Sequence, residues 1–219
     1  MARLSTFDPA VGERDACGIG FVARLSGGPS RAVLDSLLEA LRRVRHRGAV
    51  AADHRSGDGA GLLLPLPTAL LPKPGLGIAM VFLRSANGKR AVEDACCAEG
   101  IAVRSWRSVP VDLEALGPSA RASAPTIEQA LLEPPADDAD VIEAAAFRAR
   151  KRLDGRDDLY VASLSFRTVV YKALCAADQL APFYADLRDP AFEVPFGVFH
   201  QRFSTNTEPS WERTQPFRL

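Results

Sequence analysis

Apolar positions along the chain fall into two periods, and together they lay out most of its elements. Short, strand-sized apolar runs occur at 17–25 (CGIGFVARL), 60–66, 76–84 (LGIAMVFLR) and 101–109 (IAVRSWRSV). Between residues 31 and 45 the period changes: Val33, Leu34, Leu37, Leu38, Leu41 and Val44 form one stripe of a helix. Ser30 is placed as its N-cap, and Arg42, Arg43, Arg45 and His46 sit at its dipole-favoured end, before Gly48. Further helices are predicted near 87–99 and at 139–152, with Gly155 as the stop. LYVASLSF and RTVVYKAL are two strands with almost nothing between them, which predicts a hairpin. PFGVFHQRFSTN is a last strand running into a polar turn. Residues 112–125 read as loop, and TIEQALLEP fits either a strand or a helix. Helices inserted between strands predict sheets covered by helices, although chain order leaves the layering open.

Composition narrows the class. The chain has 219 residues, enough for one large domain or two small ones. Its 27 basic residues balance 27 acidic ones, so no net charge points to nucleic acid or an anionic membrane. No apolar run approaches the length of a membrane span, and residues 1–16 lack the apolar core of a secretory signal. Cys17, Cys96, Cys97 and Cys175 show no CxxC spacing, which favours a reducing, cytoplasmic compartment. The vicinal pair is expected to pack beneath its helix, and the basic residues 148–152 to form a solvated helix face.

Three places carry candidate chemistry. Cys17 follows Glu13, Arg14 and Asp15 at the mouth of a strand, an unsuitable spot for a thiol that only fills a core. Were the Ala16–Cys17 bond cut, the freed α-amine (pKa about 7.7–8.0) would match the thiol (about 8.5) as its base. Arg47 in RHRGA lies at the end of the amphipathic helix, as part of a site or as a basic cap. Arg202 stands beside Ser204, Thr205, Asn206 and Thr207; this set suits a carboxylate ligand, or a turn that satisfies its own backbone. His46, Asp53, His54, Asp58 and His200 lack metal-ligand spacing, so no metal is expected. Spacing leaves open a Cys–His pair of Cys17 with His200 or His46.

Taken in order, ACGIGFVA, HRGA, GDGAGLLL, YVASLSFRTVVYKALC and FHQRFSTNTEPSWERTQPFR resemble the class II glutamine amidotransferase domain that opens glutamate synthase large chains. The resemblance covers residues 17–219 and is loosest through 86–140. It implies an α+β fold of the N-terminal-nucleophile hydrolase type, an αββα sandwich of two antiparallel sheets. It also implies a propeptide of residues 1–16, Cys17 as nucleophile with its own α-amine as base, and hydrolysis of glutamine to glutamate and ammonia through a thioester. Arg202 and Thr205 are implied to hold the substrate α-carboxylate, and Arg47 to shape the site around the nucleophile.

In the family, QPFR is followed by LAHNGEIN, whose Asn and Gly build the oxyanion hole; this sequence stops at Leu219, before that motif. The expectation is therefore a C-terminally incomplete amidotransferase domain with little activity alone, since each lost oxyanion donor costs about 3–4 kcal/mol. The parent enzyme is implied to pass ammonia to synthase domains that use FMN and an iron–sulfur cluster, and to work with a small NADPH-oxidising subunit or with ferredoxin. No residue of this segment is assigned to those cofactors. Two other readings stay open: an inactive glutamine-binding or subunit-interaction module, and a stand-alone cysteine hydrolase with a histidine base.

Overall fold

The computed structural model describes residues 17–204 and 208–217. Along the chain run β1 (Gly18–Ala23), α1 (Arg31–Arg43), β2 (Ala60–Pro65), β3 (Gly77–Leu83), α2 (Asn87–Cys97) and β4 (Ala102–Ser108). They are followed by α3 (Pro118–Ala122), β5 (Thr126–Glu133), α4 (Ala139–Lys151), β6 (Leu159–Ser165), β7 (Thr168–Ala173), α5 (Leu180–Phe183) and β8 (Phe196–Gln201). The strands form two four-stranded sheets, ordered β1-β8-β2-β7 and β4-β5-β3-β6, with every pairing antiparallel. With helices packed on the sheets, this is the α+β sandwich that the resemblance implies.

The pattern of apolar residues explains who sits where. β3, GIAMVFL, is buried along its whole length because it lies between β5 and β6 and is covered on both faces. Ala79, Val81 and Leu83 face Val92 and Cys96 of α2 and Ala145, Ala146 and Ala149 of α4. On the other face Ile78, Met80 and Phe82 join a larger core that takes in Leu62 and Leu64 of β2, Tyr171 of β7 and Leu34, Leu37 and Leu41 of α1. Ser30 caps α1 by accepting from Ala32 N at 3.3 Å, and Asp138 caps α4 by accepting from the amides of Asp140 and Val141.

The predicted hairpin is corrected. β6 pairs with β3 and β7 with β2, so the two-residue link between them carries the chain from one sheet to the other. Ser165 Oγ accepts from the amides of Arg167 and Thr168 at 2.9 and 3.0 Å, and Glu143 on α4 accepts from Phe166 N at 2.6 Å. These side chains satisfy the corner that a hairpin's own ladder would have satisfied.

Three smaller expectations also change. Residues 112–125 contain α3 and a 3-10 turn at Leu113–Ala115. Of the vicinal pair, Cys96 is buried and Cys97 exposed, as adjacent helix positions on different faces must be. Arg148 and Arg152 are solvated and paired with Glu99, but Arg150 is buried with its guanidinium over the Phe147 ring. The ambiguous TIEQALLEP is a strand, β5, running between β3 and β4.

Candidate active site

The site is built where β1 begins and β8 ends. The register sets Gly18 opposite Gln201, so Cys17, one residue ahead of β1, meets the residues just past β8. Phe203 donates its backbone N–H to Cys17 Sγ at 3.4 Å, and the thiol lies 3.9 Å from Phe203 O. Cys17 is half-buried, held by backbone yet reachable. No histidine is among the hydrogen-bond partners of that sulfur in the described residues.

Arg47 arrives through close packing. A 3-10 turn, Arg45–Arg47, follows α1, and a Cβ on Gly18 would lie 2.9 Å from Val44 Cβ and 3.2 Å from Arg47 Cβ. Only glycine lets the end of this helix close onto the strand behind the cysteine. Arg47 therefore stands beside Gly18, next to the proposed nucleophile.

Arg202 is 6 % exposed. Its N–H donates to Gly59 O at 2.8 Å and its Nη1 to Asp58 O at 3.3 Å. Gln201 Nε2 donates to the carbonyls of Gly59 and Arg202, both at 3.2 Å. Asp58 is buried too, and its Oδ2 accepts from Ser204 N at 2.6 Å. Its two glycine neighbours are wedged in place. A Cβ on Gly57 would fall 2.4 Å from Ala176 N, and Gly59, at φ +129°, lies against Thr214. Further back, Asp53 accepts from the amides of Arg55 and Ser56 and from the Ser56 hydroxyl. These bonds hold its carboxyl well below the usual range.

His200 is buried on β8, paired with Ile19 of β1. Burial pushes its pKa down to about 4, with the positive charge of Arg202 adding to the effect, so the ring is neutral at neutral pH. Among the described residues four buried side-chain polar atoms lack a partner. Three of them, His200 Nε2, Gln201 Oε1 and Ser204 Oγ, belong to this one stretch. Unpaired buried polar atoms cost free energy, and they concentrate where a polar ligand would supply partners.

Cys17, Arg202 and Arg47 thus stand around the β1–β8 end. Thr205 and the leader of residues 1–16 lie outside the described residues. In the sequence Asp58 stands out only as a metal-ligand candidate. The signal that could have found it is an acidic residue flanked by glycines directly before a strand. His46 and Asp53 do local work instead, at the end of α1 and in the loop before β2.

A thiol thus heads an edge strand of a two-sheet sandwich, with a buried arginine just past the end of the neighbouring strand. The chain belongs to the class-II glutamine amidotransferases, whose family model matches residues 17–219. Among its relatives are ferredoxin-dependent glutamate synthase 2 of Synechocystis sp., 40 % identical over 95 % of this chain, and the glutamate synthase [NADPH] large chain of Azospirillum brasilense, 38 % identical over 94 %. A third, the chloroplastic ferredoxin-dependent glutamate synthase of Oryza sativa subsp. japonica, is 37 % identical over 99 %. The match takes up 15 % of the length of each of these relatives.

Proposed function

We propose that this chain is the glutamine amidotransferase part of a glutamate synthase, with residues 17–219 as that domain and Cys17 as its nucleophile once residues 1–16 are removed. The α-amine of Cys17 takes the thiol proton, and the sulfur attacks the side-chain amide carbon of glutamine. The tetrahedral adduct collapses as the amine returns the proton to the leaving nitrogen. Ammonia departs and a thioester remains. Water then adds to the thioester, the thiol leaves with a proton, and glutamate is released. Arg202 and Thr205 hold the α-carboxylate of the substrate, Arg202 by its two-pronged guanidinium, and Arg47 closes the site behind the nucleophile.

The observation that carries this reading is the meeting of the Cys17 sulfur with the Phe203 amide, one residue from the buried Arg202. Nothing in the fold or the comparisons favours an inactive module, and the sulfur has no histidine among its described partners to support the third reading. The ammonia passes to synthase domains, with reducing power supplied by ferredoxin or by a small NADPH-oxidising subunit. FMN and an iron–sulfur cluster serve that second reaction. A cluster needs several thiolates together, and the described residues hold no group of three or more His, Cys, Asp or Glu that could bind a metal ion, so they do not fit one. No helix among the described residues is long and apolar enough to cross a membrane. The free cysteines fit a reducing compartment, and on that ground we place the protein in the cytoplasm.

The test is glutamine hydrolysis by the full-length protein, followed as ammonia release. Cys17→Ala should abolish it. Arg202→Lys should raise the KM for glutamine by about tenfold or more, because a point charge replaces a bidentate fork. Turnover that survives Cys17→Ala would remove the reading.

A further inference from the structure

From the bonds around Asp58 we infer that this residue is the positioning residue of the site, setting where the carboxylate-binding Arg202 stands relative to Cys17. The inference rests on the proposed glutaminase reading and adds to it a residue that touches neither substrate nor nucleophile. Asp58 holds the substrate-facing segment at both ends. Its backbone carbonyl accepts from Arg202 Nη1 at 3.3 Å, and its Oδ2 accepts from Ser204 N at 2.6 Å. Phe203, whose N–H reaches the Cys17 sulfur, lies between these two anchors. Asp58 can act as a fixed point because its own surroundings hold it. It is buried, its own N–H donates to Ala49 O at 3.2 Å, and a side chain has no room at Gly57 or Gly59.

The carboxylate acts here as a hydrogen-bond acceptor for a backbone amide, not as a proton carrier. An amide oxygen at the same place performs the same task, whereas a methyl group leaves the Ser204 N–H without its partner and the segment free to shift. A displacement of this segment moves the carboxylate-binding arginine more than the thiol, which is anchored by β1. The loss should therefore fall on recognition of the substrate and spare the intrinsic reactivity of Cys17.

Two alkylating probes separate these effects in the full-length protein: the chloroketone analogue of glutamine, which carries the α-carboxylate, and iodoacetamide, which does not. In Asp58→Ala the chloroketone concentration for half-maximal inactivation should rise by about tenfold or more. The iodoacetamide rate should stay within about threefold of wild type, and Asp58→Asn should restore the chloroketone value to within about threefold. Equal loss towards both probes, or no change towards either, would overturn the assignment. Should Asp58→Ala fail to fold, Asp58→Asn and Asp58→Glu carry the test. The first should behave as wild type, and the second, pushing Ser204 outward by a methylene, should raise the half-maximal concentration by about tenfold. Identical behaviour of the two would contradict the inference. A wild-type protein alkylated by iodoacetamide but showing no saturation with the chloroketone would count against the glutaminase reading itself, a distinct result.

Discussion

His200 shows how closely single residues in this stretch answer to their surroundings. Its ring is paired with Ile19 across β1 and β8, buried, and without a partner for Nε2. Its pKa is about 4 in the folded chain against an ordinary 6.5. The unfolded chain therefore binds the extra proton first as the pH falls. The stability linked to His200 is fully present above pH 6.5, declines between about 6.5 and 4, and levels off below. The full effect is of the order of 3 kcal/mol. Melting temperatures measured across this window should fall on acidification in wild type, and His200→Leu should flatten the decline. Equal slopes would show that other groups set the acid response. At this scale the sequence was informative about Cys17, Arg202 and Arg47, because their residue types announce chemistry. It was silent about Asp58, whose importance lies in a bond to a residue 146 positions away that no local pattern encodes.

Elements were legible where periodicity dominates. The stripe of α1, its Ser30 cap and the continuous apolar run of β3 all stand where the residues place them. Ser30→Ala should destabilise the fold by about 1 kcal/mol, read as a shift in the denaturant midpoint at unchanged slope. The corner between β6 and β7 was not legible, since a two-residue link between strands is the ordinary mark of a hairpin. What distinguishes it is Glu143, which receives Phe166 N and the Ser165 hydroxyl from another element altogether. Glu143→Ala should cost about 1–3 kcal/mol, because it strips the acceptor from a half-buried turn. A change under about 0.5 kcal/mol in the same denaturation experiment would show that water replaces the carboxylate. Tertiary pairing also decided β5, which local propensity leaves undecided between helix and strand.

For the molecule as a whole, the two sheets differ in how fully they are covered. α2 and α4 cover one face of the β4-β5-β3-β6 sheet, yet on the edge strand β1 Ile19 is 64 % and Phe21 76 % exposed. By register these two share a face with the half-buried Val198 and the buried His200 of β8. Exposed apolar edges favour association. Phe21→Lys should lower concentration-dependent light scattering while leaving the melting temperature nearly unchanged. Undiminished scattering would place the association elsewhere.

The central claim is that Cys17 becomes the first residue and the nucleophile, and intact mass tests it most directly. The purified full-length protein is weighed before and after incubation with the chloroketone analogue of glutamine. The expected result is loss of residues 1–16 and then a single adduct, mapped to Cys17 and prevented by excess glutamine. A chain that retains its leader and carries no adduct, or one modified at Cys97 in place of Cys17, would contradict it.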